Sequence, residues 1–400
     1  MACAPIKLGR IYVKKQSAWG TPITSFADAD AMDVQGVFIP SGEDEVLGQP
    51  VFRPQFGASP KRAGSRAGGS IQLTWVMTNF SGTTATNEHE LIADGLGTLQ
   101  AIAGVGTITA ASTSDELAMA TGNTAWHGQG SLIQLTGGGA QIGWIKEVDL
   151  DADPDTASIT MLDATPNAAL SVGPTITIAF DENNLCSLPF TIQSESTGAN
   201  GSFRTWDAKV ASMTITANSK AQLLCAATLT TLDWIQLDAV VAGKFSFPRL
   251  QLGPNINALS SNMDNDTTFC YSSLVINIAS TLVPTECNGS AQGVSQLVTV
   301  DRMVTITERM LTSDVYADAY GAPGTTGSKT FGMTSKMSPV GSHAAVYAPK
   351  LQLTKTSNPV DLGGVWGVER AWEISNELNT SDSDVGVSTV KRTNFRISFG

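Results

Sequence analysis

The sequence predicts a mostly β protein: two tandem β-sandwich domains, each with a short helix, plus a small β-barrel or sandwich domain inserted in the first. Three observations predict it. Period-two alternation runs through most of the chain, one pattern recurs in the same order, and its two copies are unequally spaced.

Alternation puts successive side chains on opposite faces of a strand. Ile71, Leu73, Trp75 and Met77 share one face against Gln72 and Thr74, and Ala211, Met213, Ile215 and Ala217 share one against Ser212, Thr214 and Thr216. Leu274-Ile276-Ile278, Val298-Val300 with Val304-Ile306, Trp366-Val368 with Trp372-Ile374, and Phe395-Ile397-Phe399 repeat the pattern. Trp75, Trp144, Trp366 and Trp372 therefore read as core residues. Helix patterns are few and short, at Asn87 to Leu96 and Ser313 to Tyr320, each ending near a glycine suited to a C-cap (Gly97, Gly321).

Those helices open the repeat. Glu90-Leu-Ile-Ala-Asp-Gly-Leu-Gly97 lies on Asp314-Val-Tyr-Ala-Asp-Ala-Tyr-Gly321, with an alternating strand upstream of each, Ser70 to Met77 and Met303 to Met310. Downstream, Ala208 to Asn218 aligns with Ala348 to Asn358, with Met213 matching Leu353. Ala93 to Ala208 spans 115 residues and Ala317 to Ala348 only 31, so the first copy holds about 84 extra residues. The expected domains are 1–97 with 182–245, an inserted domain at 98–181, and 246–400. Short strands and frequent turns at Gly130–Thr136, Gln141–Leu150, Ala157–Leu162 and Thr175–Phe180 make the insert a small β unit.

Composition narrows the function. The 400 residues are 42% hydrophobic, enough for real cores, and carry 24 basic against 36 acidic residues for a net charge of −12. That balance repels phosphate backbones and disfavours ordinary nucleic-acid binding, yet suits a wall along which DNA must slide. No signal-like or membrane-length apolar run is found, so a soluble protein made in the cytoplasm is expected. Cys3, Cys186, Cys225, Cys270 and Cys287 are widely spaced with no CxxC pair, which favours reduced thiols, and Cys225 reads as a core residue.

Candidate chemistry is sparse. Glu88-His89-Glu90 offers acid/base or metal-ligand types but opens a helix, where acids favour the dipole. His127 and His343 stand alone, and no HExxH, GxSxG or P-loop is present. The acidic turn Asp149, Asp151, Asp153, Asp155 resembles the start of a calcium loop but has Pro154 where glycine is needed and Thr160 where the glutamate belongs. No catalytic residue, metal or cofactor is assigned. Glycine-rich stretches at Gly57 to Gly69 and Gly321 to Gly341 read as long mobile arms, carrying Lys61, Arg62 and Arg66 in the first and Lys329 and Lys336 in the second.

The chain resembles the major tail-tube proteins of long-tailed bacteriophages, the noncontractile, siphovirus kind in particular. The resemblance rests on Gly9-Arg-Ile-Tyr-Val-Lys-Lys-Gln-Ser-Ala-Trp-Gly-Thr21, Gly69-Ser-Ile-Gln-Leu-Thr74 with the helix after it, Trp206 to Ile215, Val298 to Arg309 and Pro349 to Leu353. Gly130 to Leu135 and Ile142 to Asp149 resemble a small β domain inside some of these proteins. It covers nearly the whole chain, but as patterns of apolar and glycine residues.

The resemblance implies a virion tail protein, assembled in the host cytoplasm. Rings stack around the tape-measure protein, meet tail terminator and tail-tip proteins, and later conduct DNA, with no membrane insertion; the arms, through Lys61, Arg62, Arg66, Lys329 and Lys336, would then be candidates for contacts between stacked rings. Members with two fused tube domains form trimers with pseudo-sixfold symmetry; single-domain members form hexamers. The duplication puts this chain among the former. Competing readings are a phage decoration or baseplate-hub component, a carbohydrate-binding β-module and, last, a hydrolase.

Overall fold

The computed structural model describes residues 10–35, 44–48, 61–66, 69–77, 84–102, 116–118, 132–136, 141–149, 156–161, 171–172, 175–181, 184–195, 202–218, 221–237, 255–256, 258–263, 271–286, 294–311, 326–334, 344–374 and 395–400. The described chain is mostly β, with one α-helix, α1 (Asn87–Leu96), and a 3-10 turn at Asp28–Asp30.

Two antiparallel ladders share one strand order. The first runs β1 (Arg10–Lys15), β14 (Phe190–Glu195), β15 (Ser202–Asn218), β17 (Leu224–Thr230), β6 (Ser70–Val76), β3 (Val34–Gln35). The second runs β20 (Ala258–Met263), β23 (Thr326–Thr334), β24 (Ala344–Asp361), β25 (Trp366–Ile374), β22 (Val294–Leu311), β21 (Tyr271–Glu286).

Registers match as well as order. Lys15, Phe190 and Ala208 stand in line in the first ladder, as Met263, Lys329 and Ala348 do in the second. Met213, Ala227 and Leu73 answer to Leu353, Trp372 and Ile306. The sequence alignments of Ala208 with Ala348, and of the β6 and β22 segments, fall on these registers.

The ladders join where β15 pairs with β21, Ile215 opposite Ile276 and Ser212 opposite Ala279. One row then crosses eight strands: Val34, Trp75, Cys225, Ile215, Ile276, Ile306, Trp372, Leu353. All eight are apolar, and all but the partly buried Val34 are buried in the core. The row climbs as it goes, because the residue opposite Leu274, standing where Trp75 stands in the first ladder, is Glu308 and not Ile306. Such stagger is what a sheet needs to close on itself.

Helix α1 packs beneath this junction. Thr86 is its N-cap, with His89 at N3 turned back to it. Gly97 ends it at φ 130°, and a Cβ there would lie 2.8 Å from Asp181 Cβ, so only glycine fits. After it, β7 (Gly97–Ile102) pairs with β13 (Thr175–Phe180), which pairs with β26 (Arg396–Phe399), which reaches β24. The C-terminal strand therefore links β13 to β24 of the second ladder.

The segment between β7 and β13 holds a separate five-stranded sheet in the order β12 (Ser171–Val172), β9 (Leu132–Thr136), β10 (Gln141–Asp149), β11 (Thr156–Met161), β8 (Glu116–Ala118). The ends of the expected 98–181 insert thus pair within the main sheet. Smaller pairings complete the fold: β2 (Ala31–Met32) on β1, β18 (Asp233–Leu237) on β15, β16 (Ala221–Gln222) on β19 (Asn255–Ile256), and β4 (Asp44–Gly48) on β5 (Lys61–Arg66).

Three expectations change. Within the stretches read as arms, the described parts are paired backbone: 61–66 forms a hairpin strand, and 326–334 is bonded on both sides, by β20 and β24. Alternation through Thr330, Phe331, Met333 and Thr334 satisfies a ladder despite the glycines. Val300 is exposed where Val304 and Ile306 are buried, because a bulge between Thr281 and Leu282 breaks the alternation of β22. Trp75 and Trp372 are core, but Trp366 is 65% exposed at a hairpin tip. The helix expected at Ser313 to Tyr320 lies outside the described residues.

Candidate assembly surface

The face of the sheet opposite the core carries mostly hydroxyl, amide and small side chains, with Val76, Leu224, Val275 and the exposed Met303 among them. Gln72 and Thr74 on β6, Thr228 on β17, Ser212, Thr214 and Thr216 on β15, Asn277 and Ala279 on β21, and Thr305 and Thr307 on β22 occupy it, all at least partly exposed. Across the junction, Thr214 Oγ1 donates to Asn277 Oδ1 at 3.1 Å. From residue 210 of β15, and throughout β17 and β6, no charged residue occurs. Charge enters on the second ladder, where Asp301 is exposed and Arg309 pairs with Glu369 at 2.7 Å beside the exposed Lys355 and Glu373. Few cations face outward to hold a phosphate backbone.

On the core side, α1 is bolted to the sheet by Asp94. One carboxylate oxygen meets Lys209 Nζ at 2.8 Å and accepts from Ser187 Oγ at 2.6 Å. The other accepts at 2.9 Å from the Val210 N–H, at the bulge where the β15 register slips. Both charges are buried, so each depends on the other. Arg302, on β22, reaches across the junction to the carbonyls of Asp181 (2.9 Å), Asn184 (2.8 Å) and Asp94 (3.5 Å). A cation there meets the negative end of the helix dipole. Burial pulls the Arg302 pKa down, and the charges of Asp94 and Asp181 oppose that.

A second buried pair sits inside the second ladder. Arg370 Nε lies 2.8 Å from Glu308 Oε1, which also accepts from Trp372 Nε1 at 2.8 Å. In the first ladder the matching positions are Cys225 and Trp75. Near the N-terminal strand, Asp207 takes the left-handed conformation at φ 54°. Its carboxylate accepts from the Gly20 N–H at 2.9 Å and Gln16 Nε2 at 3.0 Å, while its own N–H donates to Gln16 Oε1 at 2.7 Å. Burial pushes its pKa up, against the bonds from Gly20 and Gln16.

The sequence-chosen residues fall as follows. Glu88 and His89 are buried; Glu90 pairs with Lys15 at 2.8 Å. His89 Nδ1 lies 2.7 Å from Thr86 Oγ1 and its ring meets Phe399 edge-on, with centroids 4.9 Å apart. Burial lowers its pKa to about 4. It is a helix-end residue facing the C-terminal strand. Asp149 closes β10 opposite Thr156; Asp151, Asp153 and Asp155 lie outside the described residues, as do His127, His343 and Lys336. Lys61, Arg62 and Arg66 lie in β5 and Lys329 in the middle of the second ladder. Among the described residues no group of three His, Cys, Asp or Glu is placed to hold a metal ion. Cys186 and Cys225 are free thiols, the latter buried.

Sequence reasoning missed Asp94, Lys209, Arg302 and Asp207. Only Asp94 left a signal, as the repeated acid matched by Asp318. No protein-family model matches the chain, and no curated protein matches it.

Proposed function

We propose that the chain is a structural tube subunit, a major tail-tube protein of a long-tailed bacteriophage, that self-assembles into stacked rings. The observation that carries this reading is the continuous eight-stranded sheet formed by two register-matched ladders. It has one buried face and one hydroxyl-lined, nearly uncharged face. Two ladders of one pattern are two copies of a tube domain. Three chains then supply six copies and close as a trimer with pseudo-sixfold symmetry.

The geometry suits a tube. Strands stand about 4.8 Å apart, so three chains of eight strands close a circle roughly 37 Å across at the backbone. The stagger of the apolar row supplies the shear that closure demands. With the hydroxyl face turned inward, the lumen would hold the tape-measure protein and later let DNA pass without binding it. This sharpens the expectation of an acidic lumen, since the open face is neutral more than acidic. The five-stranded sheet between β7 and β13 belongs outside the ring.

Purified protein concentrated at neutral pH and imaged in negative stain tests the reading. Rings and stacked tubes are expected. A persistent monomer would sink it, and glycan binding by that monomer would favour a carbohydrate-binding module instead.

A further inference from the structure

The junction between the ladders has two parts. β15 pairs with β21, and just beyond it β16 pairs with β19, Ala221 opposite Ile256, immediately before the second ladder begins at β20.

The second ladder repeats the receiving side. β24 stands where β15 stands, yet past Gln352, on its β23 side, no strand pairs with it among the described residues. The turn that follows is stiff: Asp361 Oδ1 accepts from the Gly364 N–H at 2.6 Å, and the Leu362 N–H donates to the Val365 carbonyl at 2.9 Å. Gly363 and Gly364 supply φ of 82° and 90°. On this turn stand Val365, 54% exposed, and Trp366, at 65% the most exposed of the large apolar residues. An edge with no strand on it among the described residues, beside an exposed apolar turn, can be extended by a further strand.

The first ladder repeats the donating side. β3 stands where β21 stands, since Val34 faces Trp75 as Leu274 faces Glu308.

We infer that β24 beyond Gln352, together with the Trp366 turn, is the docking site for a second copy of this chain. The second copy lays its β3 strand on β24 with Gln35 opposite Ser357. This rests on the reading that the chain self-assembles, and it names the edges that meet. A heterologous contact of this kind propagates from copy to copy until the ring closes.

The test mixes two single variants, Gln35→Cys and Ser357→Cys, allows assembly and oxidises mildly. A covalent dimer in the mixture, and in neither variant alone, is expected. In parallel, Trp366 emission is isolated by difference against Trp366→Phe. A shift to the blue on assembly is expected. Trp366→Phe keeps the monomer's circular dichroism, because the side chain stands at an exposed turn. Rings that form without the cross-link, or with Trp366 emission unchanged, overturn the pairing and leave the tube reading standing. A cross-link and emission shift in open fibres or closed dimers support the pairing and defeat the tube.

Discussion

Arg302, on β22, donates to the main-chain carbonyl of Asp181 at 2.9 Å, so a side chain of the second ladder seals the helix end of the first. Replacing it with alanine leaves three carbonyls, one buried and two partly buried, short of a charged donor. Hydrogen bonds to charged groups contribute roughly 1.5–3 kcal/mol. Arg302→Ala is therefore expected to lose about 2–3 kcal/mol in urea unfolding. An unchanged midpoint would mean the ladders are held by backbone pairing alone.

Asp94 and Lys209 make a buried ion pair, and removing one partner strands the other. Asp94→Asn and Lys209→Met should each cost about 3–5 kcal/mol, and the double variant less than their sum. Additivity in the double-mutant cycle would show that the two charges do not depend on each other.

His89 ties stability to pH. Its folded pKa of about 4 lies below the ordinary 6.5, so the unfolded chain takes up the proton first as pH falls. Its contribution is full above 6.5 and is lost between 6.5 and about 4, by roughly 3 kcal/mol in all. Asp207 works in the opposite sense: with its folded pKa raised, its cost is relieved as pH falls through that value. Melting curves from pH 7.5 to 4.5 should fall for the native chain and flatten for His89→Phe. Parallel slopes for the two proteins would remove His89 from the account.

The five-stranded sheet can be cut out, but only inside its boundary strands. Deleting 104–173 with a short linker keeps β7 and β13 and should preserve folding and assembly. Deleting 98–181 also removes the strand that holds β26 and should abolish both. Equal behaviour of the two deletions would contradict the place of β7 and β13 in the main sheet.

Much of this was legible in the sequence, for a physical reason. Alternation along β6, β15 and β21 reports burial on one face, and Ile71, Leu73 and Trp75 are buried as it requires. The repeat was readable at Ala208 and Ala348 because equal registers demand the same sidedness. Alternation misled at Val300, where a bulge switches faces, and at Trp366, where the strand has already turned. Glycines at 327 and 332 suggested an arm, but β20 and β24 supply ladder bonds that no local pattern announces. The junction residues were hidden because Asp94, Lys209 and Arg302 come from distant segments and meet only through the fold.

The central claim is that one chain carries two ring positions. The mass of a single assembled ring, measured together with an image down its axis, tests it most directly. The account predicts three chains and six-fold-like density around an open lumen. Six chains per ring, or no lumen at all, would contradict it.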